Sequence, residues 1–257
     1  MGQKRLRVFA GPNGSGKSRM VDTVRKVVEL GCFINADEIE KLITQNKGVN
    51  LKDYNVKSET KKLYEFFDVS DLAKNKSKPE DLKKIFSIHN NILRVEKTSI
   101  VTPKYSAAII AEFLRECNLT AGNDFSFETV LSHKNKIEFI KRANEKGYHV
   151  YLYFICTDDV RVNIERVKAR VELGGHTVPE VKIKERYIRT LDLLYDVLKV
   201  CYKSYLFDNS DEFMEIARID RDKTIQSVVK LPEKAVYPIS VLPNWFINSV
   251  IKKIKLP

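Results

Sequence analysis

The sequence predicts an α/β fold built on a parallel sheet, and three observations predict it. A short apolar strand, Leu6 to Ala10, runs directly into Gly11-Pro12-Asn13-Gly14-Ser15-Gly16-Lys17-Ser18, which satisfies G-x-x-x-x-G-K-[ST] at each fixed position. Strand-like and helix-like stretches then alternate along most of the chain. Tyr148 to Cys156, YHVYLYFIC, is almost continuously apolar, as expected of a central strand covered on both sides. Together these specify a P-loop NTPase-type parallel sheet with helices on both faces.

Each element has its own signal. Met20, Val21, Val24, Val27 and Val28 recur at helical spacing, so a first helix is expected over 17–30, ended by Gly31. Cys32 to Ala36 reads as a short buried strand. Asp37 lies where it stops, and Asp37 to Ile43 begins a helix with acidic residues in its first turn. Lys47 to Pro103 breaks the α/β rhythm; it is polar, rich in Lys and Asn, and reads as a helical insertion after the second strand. Tyr105 to Cys117 is an amphipathic helix. Asp124 to Leu131 is a strand with Glu128 and Thr129 near its tip, and Ser132 opens a helix to Lys146. Asp158 to Leu173 is a helix carrying Arg161, Arg166 and Arg170; Gly174-Gly175-His176 breaks it, and Pro179 starts another with Arg186. Tyr202 to Asp208 is the last core strand. A small C-terminal extension from about residue 211 holds a hairpin, Glu215 to Arg218 with Ile225 to Val229, and a helix that begins near Leu242-Pro243-Asn244-Trp245. The whole chain, 1–257, reads as one domain with its insertion at about 47–103.

Composition limits the function classes. Hydrophobic content of 43% and charged content of 31% are those of an ordinary globular protein. No stretch approaches a membrane span, and the chain enters its first strand at once, so a cytoplasmic protein is expected. Cys32, Cys117, Cys156 and Cys201 are scattered without a C-x-x-C pair and read as reduced core fillers. The net charge of +11 comes from lysines spread along the chain, which reads mainly as a solvated surface.

The chemistry starts at the loop. Gly14 and Gly16 let backbone N–H groups approach phosphate oxygens, Lys17 places a point charge on the terminal phosphates, and the Ser18 hydroxyl suits Mg²⁺. The helix that follows points its N-terminus at the same anion. A phosphoryl transferase also needs a base for the acceptor hydroxyl and cations over the transferred group. Asp37 is the candidate base, with helix capping as its alternative role. Glu128 is a second carboxylate for Mg²⁺ or the acceptor. Arg166 and Arg170 share one helix face just before the Gly-Gly break, the layout of a basic lid. His176 reads as a loop-fixing residue, and Tyr151 and Tyr153 as sheet packing.

GPNGSGKS, FINADEIEK, FSFETVLSHKNKIEFIKRANEKGYHVYLYFI, RVKARVELGGHTVPEVKIKERY and FDNS occur in that order, and the combination resembles the zeta-toxin family of P-loop kinases. The resemblance covers about Arg7 to Ser210 around the insertion, which has no counterpart in the shorter toxins. It implies transfer of the γ-phosphate of ATP, with Mg²⁺, to a hydroxyl of a small molecule, best known as the 3′-hydroxyl of the sugar of UDP-N-acetylglucosamine, and pairing with an antitoxin protein. Carried over by position, Gly11, Pro12, Asn13, Gly14, Ser15 and Gly16 form the nucleotide loop with Lys17 and Ser18. Asp37 is then the catalytic base, Glu128 and Thr129 the substrate-side strand tip, and Arg166 and Arg170 the cations on the transferred phosphate. Two other readings stand beside this one. A nucleic-acid-binding or end-processing protein is suggested by the charge but lacks interleaved aromatic and basic residues. A nucleotide sensor would have no use for Asp37 and the lid arginines.

Overall fold

β1 (Arg5–Ala10) is the apolar strand expected at the start, buried at every position except Arg5. It belongs to a computed structural model that describes residues 2–46, 48–96, 100–175, 177–220, 228–230 and 242–253. The helix after the loop, α1 (Lys17–Arg25), stops well short of the expected residue 30. The N–H groups of Lys26, Val27 and Val28 fold back onto the carbonyls of Thr23 and Val24, so the last turn tightens and unwinds. Val27, counted on the apolar face, is 79% exposed. β-Branched residues extend a helix poorly unless packing holds them there.

The chain forms two compact units, one of residues Leu30–Phe127 and one of Met1–Glu29 with Glu128–Pro257. The Leu30–Phe127 unit begins with β2 (Cys32–Ile34) and α2 (Ala36–Asn46), followed by β3 (Gly48–Asn50) and a 3₁₀ turn at Leu51–Tyr54. Helices α3 (Thr60–Val69), α4 (Asp71–Lys74) and α5 (Pro79–Ile85) come next, then β4 (Phe86–His89), β5 (Ile92–Val95), α6 (Pro103–Ala121) and the start of β6 (Phe125–Thr129). β2 and β6 pair in parallel with Cys32 opposite Phe125. Helix α6 buries Ile109, Ile110, Phe113 and Leu114, as its spacing requires. Phe66 and Phe67 of α3 pack against Phe113 and Phe86, with ring centroids 5.4 and 5.3 Å apart.

The insertion is helical in the main, with one addition that the sequence reading left out. β3, β5 and β4 make a three-stranded antiparallel sheet. The signal was Asn90-Asn91 between two short apolar runs, a two-residue hairpin loop in which both residues adopt positive φ, 50° and 61°. Arg115 of α6 was also read past. It is 7% exposed, 3.9 Å from Glu112 and over the Phe127 ring at 5.1 Å.

The other unit continues through α7 (Asn135–Glu145), β7 (His149–Cys156), α8 (Val160–Glu172), α9 (Glu180–Leu198) and β8 (Lys203–Asp208). β9 (Met214–Asp220), β10 (Val228–Lys230), α10 (Asn244–Ser249) and a 3₁₀ turn at Ile251–Lys253 complete it. β1, β7 and β8 run parallel, with Phe9 opposite Tyr153 and Tyr153 opposite Tyr205. Those three rings stack at 5.0 and 4.9 Å, which is the packing role read for Tyr153. β9 and β10 add antiparallel strands at the edge, with Arg218 opposite Lys230, so the two strands expected of the C-terminal hairpin do pair; residues 221–227, which include part of that expected hairpin, and His176 lie outside the described residues. The chain is therefore α/β with a mostly parallel central sheet, as the sequence predicted. Among the described residues no helix is long and apolar enough to cross a membrane. Cys32, Cys156 and Cys201 are buried, and burial pushes the Cys32 thiol up to about 11 and the Cys156 thiol higher still, so both are inert fillers.

Asn90 is exposed in the left-handed region, so a β-branched side chain there meets its own carbonyl. Asn90→Val is expected to cost about 1–2 kcal/mol and Asn90→Gly less than about 0.5 kcal/mol, read by urea unfolding.

Candidate nucleotide and phosphoryl-transfer site

The loop is held from three sides within its own unit. Its first residue, Gly11, donates its N–H to the carbonyl of Thr129 at 3.3 Å. From α8, the Asn163 amide donates to the Asn13 carbonyl at 2.7 Å, and Asn163 is fixed in turn by the Thr157 hydroxyl, which donates to its oxygen. From the turn after β8, the Asn209 amide donates to the Ser15 carbonyl at 2.9 Å. Inside the loop the Ser15 hydroxyl donates to the Pro12 carbonyl at 2.9 Å.

These contacts change the account of the glycines. Gly14 and Gly16 have φ of +77° and +101°, where an L side chain is strained. A Cβ on Gly14 would lie 2.4 Å from the Asn163 carbonyl oxygen, and one on Gly16 would lie 2.5 Å from the Asn209 amide nitrogen. The sequence assigned both glycines to phosphate access alone. The fold also needs them so that α8 and the β8 exit can close on the loop. Asn163 and Asn209 are not among the candidate site residues: Asn209 lies in the FDNS segment but carries no role there, and nothing in the local sequence marks Asn163.

Lys17 is 7% exposed. Its ammonium donates to the carbonyls of Gly11 and Pro12, at 2.9 and 2.8 Å, and lies 3.8 Å from a Glu128 carboxylate oxygen. The strand tip thus brings its carboxylate to the lysine that the motif singles out. The Thr129 hydroxyl accepts from the Leu131 N–H at 3.1 Å and shapes a turn in which Leu131, fully buried, takes a φ of +58°. Ser18 is exposed in the first turn of α1.

The three arginines part company. Arg166, half-buried, donates to the carbonyls of Asn209 and Ser210 at 2.7 and 3.2 Å, so its guanidinium ties α8 to the β8 exit. Arg170, one turn on, is exposed, and Gly175 closes the end of α8 by donating its N–H to the Arg170 carbonyl at 2.9 Å. Arg186 of α9, given no role from the sequence, reaches the loop itself and donates to the Asn13 side-chain oxygen at 3.2 Å. One residue later, Tyr187 donates to the Thr157 carbonyl at 2.7 Å; burial raises its pKa well above the usual phenol value, which keeps it a donor.

Asp37 belongs to the Leu30–Phe127 unit. It sits in the first turn of α2 and is exposed. Helix capping was the alternative role for Asp37, but the cap is Asn35, whose side-chain oxygen accepts from the N–H groups of Asp37 and Glu38 at 2.8 and 3.4 Å. Among the described residues no group of three or more His, Cys, Asp or Glu could hold a metal ion by itself.

The family model described as Zeta toxin matches residues 78–211, about half of the chain. The chain belongs to the zeta-toxin family. The chain is also similar to a protein of Haemophilus influenzae described as an uncharacterized protein, 41% identical over 63 residues, which are 24% of this chain and 45% of that protein. Among solved structures, AvrRxo1-ORF1:AvrRxo1-ORF2 with sulphate ions superposes with a TM-score of 0.55 at 13% identity, over 89% of this chain and 61% of that one. The PezAT toxin–antitoxin system of Streptococcus pneumoniae gives 0.45 at 13% identity, over 83% and 71%. This chain thus spans less than two thirds of the Haemophilus relative and of the AvrRxo1 chain. The likeness to AvrRxo1 is one of fold.

Gly14→Ala sets a Cβ against the backbone of α8, which cannot rotate away as a side chain would. It is expected to weaken MgADP binding by at least about tenfold, measured by calorimetry, through distortion of the loop.

Proposed function

We propose that this zeta-toxin family chain is an ATP-dependent kinase that transfers the γ-phosphate to a hydroxyl of a small molecule, with a nucleotide sugar such as UDP-N-acetylglucosamine as the first acceptor to test. The observation that carries the reading is the pairing of the phosphate-loop lysine with an acidic strand tip, Lys17 to Glu128 at 3.8 Å, in a mostly buried setting. A lysine in this motif meets the terminal phosphates. A carboxylate beside it suits a phosphoryl-transfer centre better than a site that only stores nucleotide.

In the proposed reaction the acceptor oxygen forms a bond to the γ-phosphorus while the bond to the β–γ bridging oxygen breaks and ADP leaves. The hydroxyl proton passes to Asp37, the proposed base. Lys17 neutralises the charge that builds on the transferred group and the leaving oxygen, and Arg186 and Arg170 are the further cations proposed for the phosphates. Arg166 contributes by fixing the turn beside the loop. Mg²⁺ fits the residues present, because Ser18 offers an exposed hydroxyl oxygen and Glu128 a carboxylate beside the loop lysine; it would arrive with the triphosphate, with Ser18 and Glu128 as its protein-side groups, and supply charge neutralisation. An antitoxin protein is the proposed partner, by family membership.

The acceptor is best found by incubating a metabolite pool with protein, ATP and Mg²⁺ and following the appearance of one new phosphomonoester by ³¹P NMR. With the acceptor in hand, Asp37→Ala is expected to lower turnover by at least about 100-fold while changing ATP affinity less than about threefold. Lys17→Ala is expected to damage both. Retention of full turnover by Asp37→Ala removes the base assignment. Chelation by EDTA should stop transfer, and added Mg²⁺ should restore it.

A further inference from the structure

The last described helix, α10, is tied to the phosphate loop by an unbroken run of polar contacts, buried at its Trp245–Asp208 and Asn209–Ser15 links. Asp158 and Asp208 stand at the exits of the adjacent parallel strands β7 and β8. Two carboxylates at that edge of a parallel sheet look like catalytic groups, yet both are occupied by α10. Asp158 accepts from the Trp245 backbone N–H at 2.9 Å and from the Asn244 amide at 2.7 Å. Asp208 accepts from the Trp245 indole N–H at 2.8 Å. The same Asp208 accepts from the hydroxyl and the N–H of Ser210, at 3.1 and 3.0 Å, and the Ser210 hydroxyl accepts from the Asp158 N–H at 2.8 Å.

Between Asp208 and Ser210 lies Asn209, buried at 6% exposure, whose amide donates to Ser15 of the loop and whose carbonyl accepts from Arg166. Its own N–H donates to the Cys156 carbonyl at 2.9 Å. Asn209 is therefore pinned at its backbone on both sides, and its amide is pressed so close to Gly16 that no Cβ fits there. Trp245 is 3% exposed, with its ring against Phe154 at 5.6 Å and Phe246 at 5.8 Å.

We propose that the C-terminal helix is a brace for the phosphate loop, with Asn209 as the positioning residue through which it acts. The loop needs its N–H groups turned toward phosphate, and the opposite edge of the same peptides must then be held. Asn209 holds the Ser15 carbonyl, Asp208 and Ser210 hold the Asn209 turn, and Trp245 holds Asp208. Loss of any link widens the set of loop conformations, so the nucleotide must select the competent one and its apparent affinity falls by that fraction. The inference rests on reading the loop as an ATP site, and it makes nucleotide affinity depend on a helix that touches no nucleotide.

The test uses MgADP, which binds without transfer, and the intact chain. Trp245 is the only tryptophan, so its emission reports the brace directly. Saturating MgADP is expected to shift Trp245 emission in the wild-type protein. Asn209→Ala removes the link to Ser15 and is expected to weaken MgADP binding by about tenfold and to abolish the emission shift. Trp245→Phe keeps a ring in the pocket but removes the indole donor; it is expected to weaken binding by about fivefold. Calorimetry gives the affinities, and circular dichroism at the binding temperature shows that each variant is folded. If Asn209→Ala does not fold, Trp245→Phe decides the matter. Folded variants that bind MgADP as tightly as the wild-type protein overturn the brace. A wild-type protein that binds no MgADP overturns the nucleotide reading itself, which is a separate outcome.

Discussion

The structure depends on a close approach between two asparagine side chains and a glycine-rich loop. A loop whose N–H groups point outward for phosphate turns its carbonyls inward, and a buried carbonyl without a donor costs about 1–3 kcal/mol. Asn163 and Asn209 supply donors to two of them, from elements that lie far apart in the sequence. Neither contact can form if Gly14 or Gly16 carries a Cβ. The motif is thus shaped by what lies behind the loop as much as by the ligand in front of it.

The same loop sets the electrostatics. The Lys17 ammonium is largely out of water, and two loop carbonyls together with Glu128 replace its hydration. In such a setting a charge acts at longer range and with more force than at the surface. The surface lysines behave differently. Lys84 with Asp81, Lys141 with Glu138 and Lys184 with Glu180 form exposed pairs along single helices. Pairs of that kind contribute little and are screened by salt.

Helix α8 joins the loop to the β8 exit. Asn163 and Arg166 lie three residues apart, on one face, and reach the loop and the β8 exit respectively. Arg186 on α9 reaches the loop from another direction. The cation that bonds a loop side chain is therefore on the second helix after strand β7, while Arg166 on the first is committed to backbone carbonyls. Spacing alone could rank Arg166 and Arg170 together because they share a face. It could not show that one of them is already bonded to the turn after β8.

The sequence by itself determined the phosphate loop, the parallel α/β class and the family resemblance, because each is written in short-range pattern: fixed glycines before Lys17, apolar runs of strand length, and five motifs in order. It also carried the hairpin at Asn90-Asn91, although lysine-rich surroundings hid it. Tertiary structure alone decided that Asn163, Asn209 and Trp245 stand behind the nucleotide loop. The reason is physical. A loop-holding amide takes its role from the carbonyl it meets, and that partner lies up to 194 residues away along the chain, as for Asn209 and Ser15. No local pattern encodes such a meeting; only the packed sheet brings it about.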